Sequence, residues 1–289
     1  MVEISKCREE TVRIIQIARK ILILPLILAT LVLGSASAAE VEIQFYGNQH
    51  FRLKSPGGKV ILINPWIKGN KDAPFGVDHY KKGEVDLILA TAGHGDDVGQ
   101  SADIAANTGA TVFASGELAA WLAGEIEKKG GSKKQAYGGG PSGRYKLGDI
   151  TVQMLQAAHS SGISADSRRY GGVATGYLIT FENGLKVLMA GSTGLTLDLQ
   201  LFGMRYQPHV VMVPIAGRYM MHPDDAAFAT KLLMTDNPNL KTAIPQHFRI
   251  KGKPDWMGTP DEYEAEVKKL GLKVNVLIPE IGKTYTLTK

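Results

Sequence analysis

The run Val85-Asp86-Leu87-Ile88-Leu89-Ala90 is apolar enough for a buried strand, and it leads directly into Thr91-Ala92-Gly93-His94-Gly95-Asp96-Asp97-Val98-Gly99. This junction constrains the fold more than any other segment. A loop at a strand's end lets alternate side chains converge on one point, and imidazole nitrogen with carboxylate oxygen suits zinc, iron or manganese. Function is therefore to be sought where buried strands end.

The remainder of the chain alternates short strands with helices. Val41–Phe45, Phe51–Lys54 and Val60–Ile63 read as strands, punctuated by turns at Gly47 and at Pro56-Gly57-Gly58. Gly99 to Thr108 suits a helix, Thr111 to Phe113 a strand, and Glu117 to Lys128 a helix stopped by Gly130-Gly131. Gly138 to Gly143 lacks the Gly-Lys-Ser/Thr of a phosphate loop and reads as a surface turn. Strands are expected at Ile150–Leu155, Val173–Thr180, Lys186–Met189, Val210–Val213 and Thr242–Ile244, with helices at Pro223–Met234 and Asp261–Leu270 and a closing strand at Val274–Ile278. His159 and Ser192 each closely follow a strand, and Thr242–Ile244 runs into His247. The pattern suggests two sheets packed face to face with helices outside. No internal repeat is legible.

The first forty residues follow different rules. Arg19-Lys20 precede the apolar run Ile21 to Leu33, and Gly34 to Ala39 are small residues, which is a signal-peptide pattern with cleavage expected after Ala38. The run is shorter than the roughly 18 residues of a spanning helix, so residues 1–38 are expected to be removed and residues 40–289 to form the working domain in the periplasm or outside the cell, with no membrane attachment afterwards. The single cysteine, Cys7, leaves with that segment, which excludes a cysteine nucleophile and thiolate-bound zinc in the mature chain. The net charge of +5 is spread without an Arg-rich stripe, so it favours an anionic small molecule and carries no nucleic-acid signature.

The loop resembles the His-x-His-x-Asp-His signature of the metallo-β-lactamase fold, and its surroundings are similar to metal-dependent hydrolases related to L-ascorbate-6-phosphate lactonase. The resemblance extends in order through Phe45-Tyr46-Gly47, Ile61 to Pro65, Ala157 to Ser161, Ala190 to Gly194, Met221 to Ala226 and Ile244 to Phe248. It implies an α+β four-layer αββα sandwich, with two mixed sheets face to face and helices outside. It also implies a hydrolase whose seven ligand positions hold two metal ions. This chain departs at three of them: Ala92 stands where the first His is expected, Asp97 where the last His of the loop is expected, and Ser192 where an Asp bridges the two ions. His94, Asp96, His159 and His247 match.

Without the bridge, two ions roughly 3.5–4 Å apart have little to hold them. The expectation is one divalent transition metal, zinc, manganese or iron, held by Asp96, Asp97 and His247, with His94, His159 and His222 as additional donors. Asp96, His94 and His159 are the expected catalytic groups, the imidazoles as proton shuttles or oxyanion donors. The reaction class is cleavage of an ester, lactone or phosphoester of a small molecule. The competing reading is a catalytically inactive relative that binds a small anion. His50 shares a strand face with Asn48 and so has a supporting role open to it, whereas His79 and His209 read as loop or strand-edge residues. Trp66, Phe75, Tyr219 and Trp256 fall in loops, where lining a pocket is open to them and core or surface packing is the expected role.

Overall fold

The computed structural model describes residues 40–166 and 168–289, and residues 40–289 form one compact unit. The signal-like segment and its cleavage site lie outside the described residues.

Among the described residues fourteen strands form two seven-stranded sheets. The first has the order β14-β1-β2-β3-β4-β5-β6, from Thr284–Leu287, Val41–Phe45, Phe51–Lys54, Val60–Ile63, Leu87–Leu89, Thr111–Ser115 and Ala136–Gly139. The second has the order β13-β12-β11-β10-β9-β8-β7, from Asn275–Val276, Thr242–Gln246, Val210–Pro214, Lys186–Met189, Thr175–Thr180, Ile150–Gln156 and Arg144–Leu147. Each sheet pairs antiparallel through its first strands and parallel through its last, β3 to β6 in one and β10 to β13 in the other. The two halves therefore share a topology that their residues do not repeat.

Period-two alternation explains the layers. Ile61, Ile63, Leu87, Leu89 and Phe113 point into the core between the sheets, where they meet Val152, Met154, Ile179 and Val211. Their neighbours Leu62, Ile88, Val112 and Ala114 point the other way, against Ile104, Leu118, Leu122 and Ile126. Those four belong to helices α2 (Ser101–Thr108) and α3 (Gly116–Lys128), so β3 to β5 are apolar on both faces because both faces are covered. On the other side α4 (Asp198–Tyr206), α5 (Pro223–Leu233) and α6 (Pro260–Lys269) follow strands of the second sheet, and Ala226, Ala229, Leu233, Tyr263 and Val267 of α5 and α6 join the core. This is the αββα sandwich.

Four local expectations change. The segment from Gly95 is already helical as α1 (Gly95–Val98), so Asp96 and Asp97 sit on a helical turn and not in an open loop. The Gly-rich stretch begins as strand β6, where a Cβ on Gly139 would lie 2.6 Å from the Phe113 ring; glycine lets this edge strand lie flat on that ring. Helix α4 was not expected. Closure is made by β14, which crosses back to pair with β1, and only Asn275–Val276 of the expected last strand is extended.

Candidate active site

The functional side chains gather at one edge of the sandwich, where parallel strands end. β4 delivers His94, the residue that begins α1, and α1 delivers Asp96 and Asp97. β8, β10 and β12 end just before His159, Ser192 and His247. Gly191 sets the exit from β10: its φ is 72°, and a Cβ there would meet the Thr175 carbonyl oxygen at 2.2 Å.

Two residues with left-handed backbones join the sheets at this edge. Asn48 has φ 58° and His247 φ 61°. The Asn48 N–H donates to the Phe248 carbonyl at 2.9 Å, and the His247 N–H donates to the Asn48 carbonyl at 2.7 Å. Such a conformation costs roughly 1–2 kcal/mol for a residue with a Cβ, so the surrounding contacts must hold it. The same reversal at Gly47 and Asn48 breaks the strand alternation, which corrects the expectation for His50. His50 is fully buried beside Tyr46, Phe75 and Tyr80 and does not line the pocket, whereas Asn48 reaches the site.

Asp97 is the centre of the arrangement and is only 1% exposed. Its Oδ1 accepts from Gln49 Nε2 at 2.8 Å, Thr91 Oγ1 at 2.6 Å and Ser192 Oγ at 2.8 Å. Its Oδ2 is buried without a hydrogen-bond partner and lies 3.6 Å from His94 Nδ1. A buried carboxylate oxygen left unpaired is costly, so the site favours positive charge beside it. The Asp97 carboxylate accordingly raises His94 above the ordinary imidazole value, against the opposing effect of burial. Burial lowers His159, which packs edge-on against His94 with ring centroids 5.1 Å apart.

Asp96 makes a separate pair. Its Oδ2 is 3.0 Å from His247 Nε2 and accepts from Asn48 Nδ2 at 3.0 Å. Burial works against its ionisation, but the His247 and Asn48 contacts prevail and hold the carboxyl well below the usual carboxylate range. Ser192 is fully buried, with Oγ 3.4 Å from His247 Nδ1, and does not line the pocket. A serine that substrate cannot reach is not a nucleophile.

His94, Asp96, Asp97, His159 and His247 all line one pocket of about 390 Å³. His222 does not: it precedes α5 against Gly217 and lines a neighbouring groove with Asp224 and Asp255, which removes it from the donor set. Tyr219 and Trp256 were expected to serve packing but line the pocket, in contact with each other at 5.2 Å between ring centroids. Phe75 stacks on His79 and borders a different groove. Sequence reasoning missed Arg249, which also lines the pocket two residues beyond His247.

The donors do not fit two ions. Ser192 supplies a hydroxyl donor where a bridging carboxylate is needed, and three donors already occupy Asp97 Oδ1. They pair instead of converging, and among the described residues no three His, Cys, Asp or Glu side chains are disposed to hold a metal. The expected trio of Asp96, Asp97 and His247 is divided, because the unpaired oxygen of Asp97 lies beside His94 while Asp96 and His247 are bonded to each other. The unpaired Asp97 Oδ2 and His94 Nδ1, 3.6 Å apart, are the pair of groups that would hold a cation here.

Known proteins share this architecture. Residues 42–239 match the family described as "Beta-lactamase superfamily domain". A "UPF0173 metal-dependent hydrolase" of Myxococcus xanthus is 34% identical over 262 residues, covering 90% of this chain and 88% of the relative. Its counterpart in Thermodesulfovibrio yellowstonii is 36% identical over 271 residues, covering 90% and 97%. Among solved structures, Igni18, a metallo hydrolase of Ignicoccus hospitalis, is similar with a TM-score of 0.70 and 29% identity, covering 86% of this chain and 99% of that one. The chain belongs to the β-lactamase superfamily and, within it, to the UPF0173 metal-dependent hydrolase family.

Proposed function

We propose that this chain hydrolyses an ester, lactone or phosphoester of a small molecule with the help of one divalent ion, for which Asp97 Oδ2 and His94 are the protein's donors and substrate or solvent would complete the set. The observation that carries this reading is the buried, unpartnered Asp97 Oδ2 beside His94 Nδ1. A divalent ion, when bound, supplies polarisation of a carbonyl or phosphoryl oxygen and a more acidic water. The chain's own residues do the rest. Gln49, Thr91 and Ser192 fix the Asp97 carboxylate through Oδ1, which leaves Oδ2 aimed at the donors around it. Asp96 lines the pocket as an ionised carboxylate, oriented by Asn48 and His247, and would orient the attacking water by accepting a hydrogen bond from it. Tyr219, Met220, Trp256 and Met257 wall the pocket and offer apolar surface to the substrate's body.

In this reading the carboxylate lost from position 192 is replaced from position 97. Ser192 then serves as the donor that positions it. The working compartment is outside the cytoplasm, a proposal supported by the apolar run Ile21 to Leu33 followed by small residues, and a mature chain beginning at Ala39 is expected from intact mass.

The test is metal content with activity. Wild-type protein exposed to zinc, manganese or iron and then desalted is expected to retain about one equivalent of one of them, and to hydrolyse a panel of lactones and aryl esters in a chelator-sensitive manner. Asp97→Asn keeps the Oδ1 acceptor and replaces the free oxygen by an NH₂ group, so it should fold but lose the metal. A wild type that retains only trace metal and has no hydrolytic activity overturns the proposal. It would favour the binding-protein reading instead, which the absence of a three-donor group among the described residues supports.

A further inference from the structure

Arg249 is the only arginine or lysine among the described residues that lines the pocket. Among the described residues no carboxylate pairs with it, and its Nε is buried without a hydrogen-bond partner. Its guanidinium lies 5.0 Å from the centre of the Trp66 ring, a cation–π contact that holds the group in place without consuming its N–H donors. An arginine held this way, in a protein where many surface lysines find carboxylates, is a charge kept available.

The rest of the lining says what it is available for. Asp96 and Asp97 make the pocket floor negative, so a free anion gains nothing there, and the guanidinium supplies the compensating charge on the lining. The planar fork of an arginine matches a carboxylate or phosphate through paired N–H donors. Tyr219 and Trp256, perpendicular to one another, add flat apolar surface, and Met220 and Met257 add adaptable surface. A volume of about 390 Å³ is that of a small-molecule site.

We propose that Arg249 anchors an oxyanion group, carboxylate or phosphate, on a small substrate whose apolar body lies against Tyr219 and Trp256 and whose scissile bond reaches the donors at the floor. The proposal rests on the hydrolase reading only in taking this pocket as the substrate's seat. It names a specificity residue that contacts the substrate away from the reacting bond.

Phenylacetate, phenyl phosphate and the uncharged phenylacetamide serve as probes, titrated into the wild-type protein and followed by tryptophan fluorescence, since Trp66 touches Arg249 and Trp256 lines the pocket. At least one anion is expected to bind about tenfold or more tightly than phenylacetamide, as charge-assisted hydrogen bonds require. Arg249→Met should abolish that preference and leave phenylacetamide binding unchanged, which also shows that the pocket is intact. Arg249→Lys should restore part of it, by charge without the fork. The tighter anion identifies the group. Equal binding of anions and amide by the wild type, no saturable anion binding at about 10 mM, or an undiminished preference in Arg249→Met each overturns the proposal. Because these readouts need neither metal nor turnover, an inactive protein that keeps the Arg249-dependent preference refutes the hydrolase reading alone.

Discussion

The floor of the pocket and its rim are built on different principles. At the floor Asp97, Ser192 and His247 are buried and stand at strand ends or on the turn that follows one, with Ser192 bonded to Asp97 Oδ1 and His247 to Asp96. At the rim Tyr219 is 59% exposed, and Tyr219, Trp256 and Arg249 stand on loops and touch their neighbours through ring faces. A polar network in a dry interior is costly to break, because each deserted partner loses its bond and gains no water. Ring contacts at a wet rim cost little to lose. Stability and the chemistry of the reacting bond are therefore tied together at the floor, and ligand choice is left to the rim, where change is tolerated.

The contrast breaks most directly at Asp97. Asp97→Ala strands Gln49, Thr91 and Ser192 at once, and the expected loss of unfolding free energy is about 3–5 kcal/mol, comparable to breaking a buried charged network. Urea unfolding of this variant and of Tyr219→Ala, side by side, measures it. If the two lose the same amount, floor and rim do not differ in their contribution to stability.

A buried imidazole away from the pocket sharpens the comparison. His247 is bonded to Asp96, whereas His50 is enclosed by Tyr46, Phe75 and Tyr80, and burial pushes His50 from 6.5 down to about 3, against a backbone contact with Trp66. Above 6.5 both folded and unfolded chains leave His50 neutral. As pH falls from there towards about 3 the unfolded chain binds a proton that the folded chain refuses, so stability declines by up to about 1.4 kcal/mol per pH unit. His50→Gln should remove this part of the slope between pH 6 and 4, read as the difference between the two unfolding curves. A wild-type slope identical to the variant's would show that His50 finds a partner for its charge.

The same contrast governs what the sequence disclosed. The floor's donors were legible because an apolar run such as Leu87–Leu89 must be a buried strand, and the residues that follow buried strands are brought to one edge. Their pairing was not legible. Which oxygen of Asp97 is satisfied depends on Gln49, Thr91 and Ser192, which come from three separate segments, and on left-handed backbones at Asn48 and His247 that no local propensity announces. Period-two reasoning put Asn48 and His50 on one face, and the turn separated them. The αββα layering was legible from alternation, whereas β14 returning to β1 is a long-range pairing that a four-residue strand does not signal. Arg249 was silent because an arginine in a loop is ordinary; only its lack of a carboxylate, a three-dimensional fact, makes it informative.

The smallest expected effect tests the rim. Tyr219 leans on Trp256 and carries the Arg218 guanidinium over its ring at 5.3 Å, both contacts made largely in solvent. Tyr219→Ala should therefore change unfolding free energy by less than about 0.5 kcal/mol, as surface substitutions generally do. Its effect on binding should be larger than its effect on stability: loss of one aromatic wall is expected to weaken phenylacetate and phenylacetamide equally, by about three- to tenfold, since the ring offers apolar surface and no charge. Equal weakening separates this residue's contribution from that of Arg249, which acts on the anions alone. A Tyr219→Ala protein that binds both probes as the wild type does would place the apolar body against Trp256 and the methionines, and would reduce the rim's role in selection to the single charge.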